Sequence, residues 1–310
     1  MKKRPLGTTG LSISEIGFGC GGNAGLMVNG TPEQQRAAVS TALEHGIDYF
    51  DTAPAYGDGA SERNLGATLR ALGARAVIAT KVVLELEDLD DIPRAVVRSV
   101  EGSLERLQRE SVELVHLHNR VARRRERKAD IGVGAMLTVA DVLGPRGVLA
   151  GFQELRKRGL VRFFGCCAFG GEMQSVRTLI DSNAFDNLLV HYSIVNPTAW
   201  LPALDGERNY AGIGAYAAER GMGSSALRVL EGGALTGARH ALARGPNSSE
   251  QLRSAERAQA LARAGGREYV RLALRYALDN VDLSTVLVGF SDAEQVRQAA
   301  AIANEDMQPS

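Results

Sequence analysis

The sequence predicts a (β/α)8 barrel, in which eight parallel strands alternate with eight helices. Short apolar runs rich in β-branched residues alternate strictly with stretches of helical hydrophobic period, which is typical of parallel strands joined by helical crossovers. The runs number eight, and this count favours a closed barrel over an open sheet. The length of 310 residues fits one such barrel, and no Pro/Ser-rich linker divides the chain.

Each predicted strand is a short run that leads into a turn signal. The predicted strands are Glu15–Gly19, Asp48–Asp51, Val77–Thr80, Leu114–His118, Arg162–Cys166, Leu188–Tyr192, Gly223–Val229 and Thr285–Val288. The predicted helices lie near residues 32–45, 61–72, 93–108, 149–159, 172–182, 207–220, 254–278 and 292–303. Two helix starts support this assignment. Thr31 precedes Pro32 and Gln34 in the pattern of a capping box, and Ser61 supplies a hydroxyl cap to the next helix.

The composition argues against several classes of function. Lys+Arg and Asp+Glu are both 36, so the formal net charge is zero and no global field attracts nucleic acid or an anionic membrane. There is no apolar run of signal-peptide or membrane-span length. Three cysteines, two of them adjacent, do not suggest a disulfide framework. We expect a single domain of residues 1–310 in a reducing, cytoplasmic setting, with no metal site.

One glycine motif resembles a dinucleotide-binding fingerprint but lacks the helix that the fingerprint requires. Residues 17–22 match the G-x-G-x-x-G pattern of dinucleotide-binding βαβ units. That motif requires a helix that begins directly at the glycines, so that the helix N-terminus meets the pyrophosphate. Here the first helix signal comes only at Thr31. The glycines instead predict a close approach of the backbone to a ligand at a strand end.

Polar side chains follow the second, third and fourth predicted strands. The second strand leads into Asp51 and Tyr56, the third is followed by Lys81, and the fourth ends at His118. In a (β/α)8 barrel the chemistry occurs at the C-terminal ends of the strands, and consecutive strand ends are neighbours. We therefore expect these four side chains to converge. Taken singly, Asp51 is typical of a cap or turn, and Lys81 of a solvated strand end.

These four residue types suit proton transfer to a carbonyl oxygen. A free tyrosine has a pKa of about 10, and a nearby ammonium group lowers it. Asp51 would hold Lys81 charged and in place, and His118 would donate a hydrogen bond to a carbonyl. The set predicts that Tyr56 protonates the oxygen of an aldehyde or ketone while a hydride reaches its carbon. In reverse, Tyr56 would deprotonate an alcohol.

The sequence resembles the aldo-keto reductase superfamily across nearly the whole chain. The resemblance is carried by Gly46–Ala53, Tyr56-Gly57, Ser61-Glu62, Leu65-Gly66, Ala79–Lys81, Ser103–Leu107, Leu114–His118, Leu155–Arg162 and Val288–Ser291. Within the superfamily the chain is similar to the L-galactose, L-fucose and D-threo-aldose dehydrogenase-like sub-group. The resemblance implies NADP or NAD as cofactor and a small-molecule carbonyl or sugar as substrate. It also places Asp51, Tyr56, Lys81 and His118 on the catalytic tetrad.

The resemblance further implies a set of cofactor contacts around the mouth of the barrel. They are Cys20, Gly21, Asp51, Cys167, Ala168, Leu189, Arg228, Leu230, Gly289, Ser291 and Gln295. Three positions depart from the family pattern, because its usual Ser and Asn fall on Cys167 and Ala168 and its Gln falls on Leu189. Those polar side chains usually hold the nicotinamide carboxamide. The stacking aromatic residue falls on Leu227, and we expect the neighbouring Arg228 to meet the pyrophosphate as a bidentate donor.

Cofactor preference depends on the segment from Gly289 to Gln295, which has no Lys or Arg. Asp292 and Glu294 add negative charge where a 2′-phosphate would lie, whereas the amides of the helix start favour any anion. Arg297 lies more than a turn into the helix. Arginines of other loops, such as Arg239 and Arg244, are the alternative partners of a phosphate. The segment predicts weak discrimination between NAD(H) and NADP(H), or a preference for NAD(H).

Several further features have more than one interpretation. One histidine of the pair His116 and His118 is expected to be buried scaffold. The basic run 123–128 is either solvated, in contact with an anionic substrate, or part of a subunit contact, so self-association stays open. Trp200 either lines the substrate pocket or packs within its loop. The remaining histidines are expected to be structural or on the surface, namely His45, His191 and His240.

Three functions remain in competition. The first is a nicotinamide-dependent oxidoreductase. The second is a nicotinamide-binding sensor or regulatory protein with slow turnover, suggested by the loss of the carboxamide-binding side chains. The third is a barrel aldolase that uses Lys81 as a Schiff base, which leaves Tyr56 and Asp51 without a role.

Overall fold

The computed structural model describes residues 1–125, 134–201, 209–236, 256–258, 260–261, 263 and 267–305. Within them, eight parallel strands close into a barrel, which confirms the predicted fold class. In chain order the strands are β1 Lys3–Pro5, β2 Ser12–Ser14, β3 Ile16–Gly19, β4 Tyr49–Asp51, β5 Val77–Val82, β6 Val112–Leu117, β7 Val121–Ala122, β8 Leu137–Thr138, β9 Val161–Cys167, β10 Asn187–His191, β11 Gly223–Leu227 and β12 Thr285–Gly289. The pairs β1–β2 and β7–β8 lie outside the barrel.

The barrel strands follow one another around the circle in chain order. β3 pairs with β4, β4 with β5 and β5 with β6, and β12 closes the barrel against β3. Because all of these strands are parallel, their C-terminal ends form one rim. The residues at the ends of β4, β5 and β6 are therefore neighbours, as the sequence analysis expects.

The helices between the strands cover the barrel. They are α1 Leu26–Asn29, α2 Pro32–Glu44, α3 Ala60–Ala71, α4 Ile92–Leu107, α5 Val139–Leu143, α6 Val148–Lys157, α7 Met173–Asp181, α8 Ile213–Ala218, α9 Arg267–Leu278 and α10 Ala293–Ala303. The helices predicted at 207–220 and 254–278 fall partly outside the described residues. α8 lies within the first, and α9 together with the helical residues 256–258, 260–261 and 263 lies within the second. Among the described helices, none is both long and apolar enough to cross a membrane.

Of the two helix starts singled out in the sequence, one is confirmed and one is wrong. The Thr31 hydroxyl accepts from the Gln34 amide at 3.3 Å, and the Gln34 side chain accepts from the Thr31 amide at 2.9 Å. α3, in contrast, begins after Gly59, which adopts φ 74° and offers no side-chain cap. The Ser61 hydroxyl instead donates to the Cys20 carbonyl at 2.9 Å, because it is buried between the helix and the end of β3.

A hairpin that the sequence analysis did not predict closes the N-terminal end of the barrel. Leu6 and Ile13, from β1–β2 and their connection, are fully buried against Tyr49, Ala79 and Leu114. This apolar cluster fills the barrel beneath the rim. The opposite, C-terminal rim is therefore the end at which a ligand can enter.

Candidate active site

A buried ion pair joins the ends of the second and third barrel strands. Asp51 is the last residue of β4, and its register partner on β5 is Ala79. Lys81 lies two residues beyond Ala79 and so points to the same side of the sheet. Its Nζ is 2.6 Å from Asp51 Oδ1 and 2.8 Å from the Thr52 carbonyl oxygen. Both charged side chains are almost fully buried.

A tight turn after β4 brings Tyr56 over this ion pair. The Tyr56 amide donates to the Ala53 carbonyl at 3.1 Å. Gly57 follows with φ 63°, and a Cβ there would collide with the side chain of Val28, so both conformation and space require glycine. The Lys81 Nζ lies 4.8 Å from the centroid of the Tyr56 ring.

His118 completes the predicted group from the end of the fourth barrel strand. Its ring lies 6.1 Å from that of Tyr56, centroid to centroid, at an interplanar angle of 88°. His116 points into the barrel below it and is fully buried, with Nε2 2.8 Å from Asn187 Oδ1. His116 is thus the scaffold member of the pair. The structure brings together all four side chains that the strand-end argument selects.

The pKa of Tyr56 is set by opposing influences. Burial raises the pKa of the hydroxyl, the charge and hydrogen bond of Lys81 lower it, and the charge of Asp51 raises it again. The net result is a pKa above the usual value. The expectation of a lowered pKa is therefore wrong in sign, although the contribution of Lys81 has the expected direction. Tyr56 is protonated at neutral pH, as a proton donor to a carbonyl must be.

The other members of the group have defined charges. Burial alone would lower the pKa of Lys81, but Asp51 and Tyr56 raise it above its ordinary value, so the amine is cationic. Burial raises the pKa of Asp51, and Lys81 opposes that effect. Burial and the charge of Lys81 hold the pKa of His118 well below its usual value. A neutral imidazole can still donate one hydrogen bond to a carbonyl oxygen.

The positions expected to hold the nicotinamide carboxamide form an apolar patch at the rim. Cys167 and Leu189 are register partners on β9 and β10, and the Ala168 amide donates to the Leu189 carbonyl at 2.9 Å. All three side chains are buried. Burial raises the pKa of the Cys167 thiol to about 11, so it is a neutral thiol at pH 7. These positions offer no amide or hydroxyl side chain to a carboxamide.

The end of the glycine motif lies against Tyr56. A Cβ on Gly21 would be 3.6 Å from the Tyr56 ring, and the Cys20 amide donates to the Asp51 carbonyl at 2.8 Å. After Cys20 the chain turns through residues 21–24 before α1 begins at Leu26, so no helix starts at the glycines. The dinucleotide-binding βαβ interpretation is therefore excluded, and the approach of these glycines to a ligand stays a prediction.

The segment after β11 carries Arg228 and Leu230. Arg228 adopts φ 59°, and its Cζ lies 5.7 Å from the centroid of the Phe169 ring. Its Nε is buried and has no hydrogen-bond partner among the described residues. Leu230 is partly buried against the small cluster that contains Leu235. Arg228 therefore lies at the rim, half-buried, with one N–H donor that no described group accepts from.

The start of α10 holds the remaining positions of the predicted cofactor set. The Ser291 amide donates to Gln295 Oε1, and the Gln295 amide donates to Asp292 Oδ1, each at 2.9 Å. Gly289 packs closely, since a Cβ there would be 3.0 Å from that of Ala24. Arg297 is bound to Glu294, with Nε 3.0 Å from Oε2. From 289 to 297 no cation lacks a carboxylate partner.

Two arginines of the basic run 123–128 are engaged in ion pairs. Arg123 and Arg125 form ion pairs with Glu172 and Asp141. Residues 126–128 of the same run, and also His240, Arg239 and Arg244, lie outside the described residues.

Trp200 packs within the structure rather than lining the candidate site. Its indole N–H donates to Asp282 at 3.1 Å, and its ring contacts that of Tyr192 at a centroid distance of 4.9 Å. Asp282 precedes β12, at the end of the barrel away from the rim. Of its two interpretations, loop packing is therefore the one the contacts support.

Two buried acidic residues near the candidate site, Glu62 and Glu231, were not among the site residues predicted from the sequence. Glu62 is fully buried, accepts from the Thr80 hydroxyl at 2.5 Å and pairs with Arg106 Nε at 2.6 Å, so it anchors the residue before Lys81. Glu231 pairs with His191 at 2.8 Å. The sequence offered one indication of these two residues, namely an acidic side chain within a segment that contains several apolar or glycine residues. Their charged or imidazole partners, Arg106 and His191, lie 44 and 40 residues away in sequence, and only the fold identifies them.

Comparison with known proteins gives a consistent result over most of the chain. A family model described as the Aldo/keto reductase family matches residues 15–309. L-galactose dehydrogenase of Arabidopsis thaliana is 30% identical over 313 residues, which covers 97% of this chain and 88% of that protein. Pyridoxal 4-dehydrogenase of Microbacterium luteolum is 26% identical, covering 96% and 91% of the two chains.

The fold has solved counterparts as well. The holo form of an aldo-keto reductase from Bacillus halodurans superposes with a TM-score of 0.71 at 22% identity, covering 100% of this chain and 93% of that chain. A structure described as a putative aldo-keto reductase from Pseudomonas aeruginosa gives a TM-score of 0.65 at 24% identity, covering 97% and 93%. At this level of identity these likenesses establish the barrel.

Proposed function

Because the chain belongs to the aldo/keto reductase family and is an NAD(P)-dependent oxidoreductase of that family, we propose that it interconverts a carbonyl and an alcohol with Tyr56 as general acid/base. One observation carries the proposal. Tyr56 stands between a buried, cationic Lys81 and a neutral His118, at the only barrel end left open by the hairpin in the described part of the chain.

Each residue of the group has a separate task in carbonyl reduction. His118 donates a hydrogen bond that polarises the carbonyl, and Tyr56 transfers its proton to the oxygen as negative charge develops there. Lys81 stabilises the phenolate that remains, and Asp51 keeps Lys81 in position. The nicotinamide cofactor, when bound, supplies the hydride.

The residues at the rim fit a dinucleotide better at its phosphate end than at its carboxamide end. The guanidinium of Arg228, whose Nε has no partner among the described residues, is suited to phosphate. The Ser291 and Gln295 amides could join it if they released their present side-chain acceptors, Gln295 and Asp292. Cys20, Gly21, Leu230, Gly289 and Gln295 would complete that contact. Around the nicotinamide, Cys167, Ala168 and Leu189 can offer shape and backbone groups only. We expect either NAD or NADP to bind, with the amide group held less tightly than in relatives.

The substrate proposed is a small carbonyl compound or sugar. The similarity to L-galactose dehydrogenase favours the aldose and lactone pair over other carbonyl compounds. A single domain that spans the chain, without nucleic-acid or membrane partners, is part of the same proposal.

The first prediction tests the role of Tyr56 directly. Tyr56→Phe keeps the ring and removes the transferable proton, so we expect kcat to fall about a hundredfold or more, the scale of a general acid/base. The dissociation constants of NADH and NADPH, measured by fluorescence titration, should barely change. Near-normal turnover would remove Tyr56 from this role.

A sensor or regulatory protein with slow turnover is the second candidate. The apolar carboxamide patch of Cys167, Ala168 and Leu189 is the observation that favours it. Steady-state turnover of the wild type with a panel of aldehydes and aldoses separates the two, because a sensor would bind the dinucleotide without appreciable kcat. The aldolase alternative is not favoured, since a lysine held protonated by Asp51 is a poor nucleophile.

A further inference from the structure

The segment that follows β11 has an unusual backbone. Residues 231–236 form short turns that are interrupted by a kink at Gly232 and Gly233. Four residues from Arg228 onward have positive φ: Arg228 at 59°, Glu231 at 48°, Gly232 at 65° and Gly233 at 97°. Two of these residues carry long side chains, which disfavour the left-handed region. Such a conformation persists only where surrounding contacts over-determine it.

A buried contact between a histidine and a carboxylate supplies that restraint. Glu231 is 2% exposed and His191, at the end of β10, is 7% exposed, and His191 Nε2 lies 2.8 Å from Glu231 Oε1. The Ser193 hydroxyl donates to the same carboxylate oxygen. His191 Nδ1 is 3.3 Å from the Tyr210 hydroxyl. The carboxylate is thus held by the strand and the loop that precede α8.

The state of Glu231 agrees with this geometry. Burial would raise the pKa of its carboxyl group, but the charge of His191, the hydrogen bonds from His191 and Ser193 and the charge of Arg228 outweigh burial and lower it to about 2. A carboxylate that stays ionised while buried needs its partners in place. Loss of the negative charge should therefore release the segment.

Glu231 is also coupled to Arg228 through the backbone. The Glu231 amide donates to the Arg228 carbonyl at 2.7 Å, and the Gly233 amide donates to the Leu230 carbonyl at 2.9 Å. A Cβ on Gly232 would lie 3.4 Å from Arg228 Nη2 and 3.5 Å from Asn23 Nδ2. The guanidinium and the Asn23 side chain, from the loop after β3, therefore both lie next to Gly232.

We propose that His191 and Glu231 form a clasp that holds Arg228 in its left-handed conformation, and that both are positioning residues for an anionic phosphate group bound at Arg228. This inference rests on the proposed function, because it takes the anion to be a phosphate of the nicotinamide dinucleotide. It assigns a role to two groups that the proton-transfer chemistry does not use.

A purely electrostatic role of Glu231 is the alternative to the clasp, and it predicts the opposite effect on the contribution of Arg228 to phosphate binding. If Glu231 acted only as a negative charge beside Arg228, it would weaken the attraction of Arg228 for a phosphate. Removing the charge would then make Arg228 more important for binding. If Glu231 instead positions Arg228, removing the charge makes Arg228 less important.

The first arm of the test is hydrogen exchange on the apo protein. In Glu231→Gln we expect the amides of Glu231 and Gly233, measured at positions 231 and 233, to exchange at least about tenfold faster than in the wild type. Glu219→Gln, which removes an exposed carboxylate paired with Arg220, is the matched control and should leave these amides unchanged. Unchanged exchange in Glu231→Gln would overturn the clasp. If that variant does not fold, His191→Gln takes its place.

The second arm is a double-mutant cycle on cofactor binding. In the wild-type background Arg228→Met should weaken binding of NADH or NADPH by about tenfold or more, and in the Glu231→Gln background by less than about threefold. An equal or larger effect in the variant background overturns the positioning role. If the wild type binds neither nucleotide, the proposed function fails, and the exchange arm alone decides whether the clasp exists.

Discussion

At the residue scale, burial and the charge of Lys81 have opposite effects on the pKa of Tyr56. The residue types and their strand-end positions were predictable, because polar side chains after β4, β5 and β6 must share one rim. The net pKa of Tyr56 was not predictable. It depends on how far the turn through Ala53 and the loop at Gly21 bury the hydroxyl, and those contacts exist only in the fold.

Lys81→Met should move the pH dependence of the reaction upward. Lys81 lowers the pKa of Tyr56, so its removal raises that pKa further. Alcohol oxidation needs the phenolate, which is present above the pKa. We therefore expect oxidation to fall at neutral pH and to recover partly in alkali, with a midpoint about one pH unit or more higher. The pH profile of kcat checks this, and an unchanged midpoint would contradict the coupling.

The control for this variant is Asp51→Asn with Lys81→Met. Lys81→Met alone leaves a buried carboxylate without its partner, which is strongly destabilising. The double variant removes both charges and keeps a similar shape. If the shift is caused by the missing ammonium, it should still be upward in the double variant but smaller, because the charge of Asp51, which raises the pKa of Tyr56, is removed as well. Any loss of thermal stability should also be smaller there than in the single variant.

At the scale of secondary-structure elements, the eight strands were predictable to within two residues because each alternates with a helix of strong amphipathic period. The hairpin of β1 and β2 was missed because three-residue strands carry too little pattern. The cap at Ser61 was misassigned because tertiary burial uses its hydroxyl elsewhere. Local signals thus give the order of the elements, and long-range contacts decide how their ends are fixed.

Close packing between α3 and α4 requires a glycine at position 66. A Cβ on this residue of α3 would lie closer than 3.0 Å to the backbone of Leu107, at the end of α4. Gly66→Ala should therefore destabilise the fold by about 1–3 kcal/mol, because the helices must separate. This loss exceeds the gain of about 1 kcal/mol that alanine brings to a helix interior.

Gly102→Ala is the matched comparison on α4. An added Cβ there approaches only Nη1 of Arg106, at 3.2 Å, and the end of that side chain can shift slightly while its Nε stays bound to Glu62. This variant should be neutral or more stable by up to about 1 kcal/mol. Chemical denaturation measures both, and equal effects of the two substitutions would show that α3 and α4 are not in close contact at Gly66.

At the scale of the whole molecule, the balance of charge leaves specificity to local groups at the rim. Lys+Arg and Asp+Glu are both 36, so no global field selects between cofactors that differ by one phosphate. The sequence was sufficient to predict the lack of basic residues from Gly289 to Gln295. It could not show that Arg297 is already paired with Glu294, since that requires the side-chain geometry of α10.

Cofactor choice follows from this arrangement at the start of α10. Asp292 caps the helix with a negative charge and Glu294 neutralises Arg297, so a 2′-phosphate at this helix start meets two carboxylates and no unpaired cation. We expect weak discrimination or a preference for NADH when both dissociation constants are measured at the same low salt. Glu294→Lys, which frees Arg297 and adds a cation, should shift the ratio toward NADPH by about threefold or more. Gln298→Lys, one turn further along α10, should shift it less. A wild-type preference for NADPH above about a hundredfold, close to 2.7 kcal/mol, would mean that cations from another part of the chain bind the 2′-phosphate.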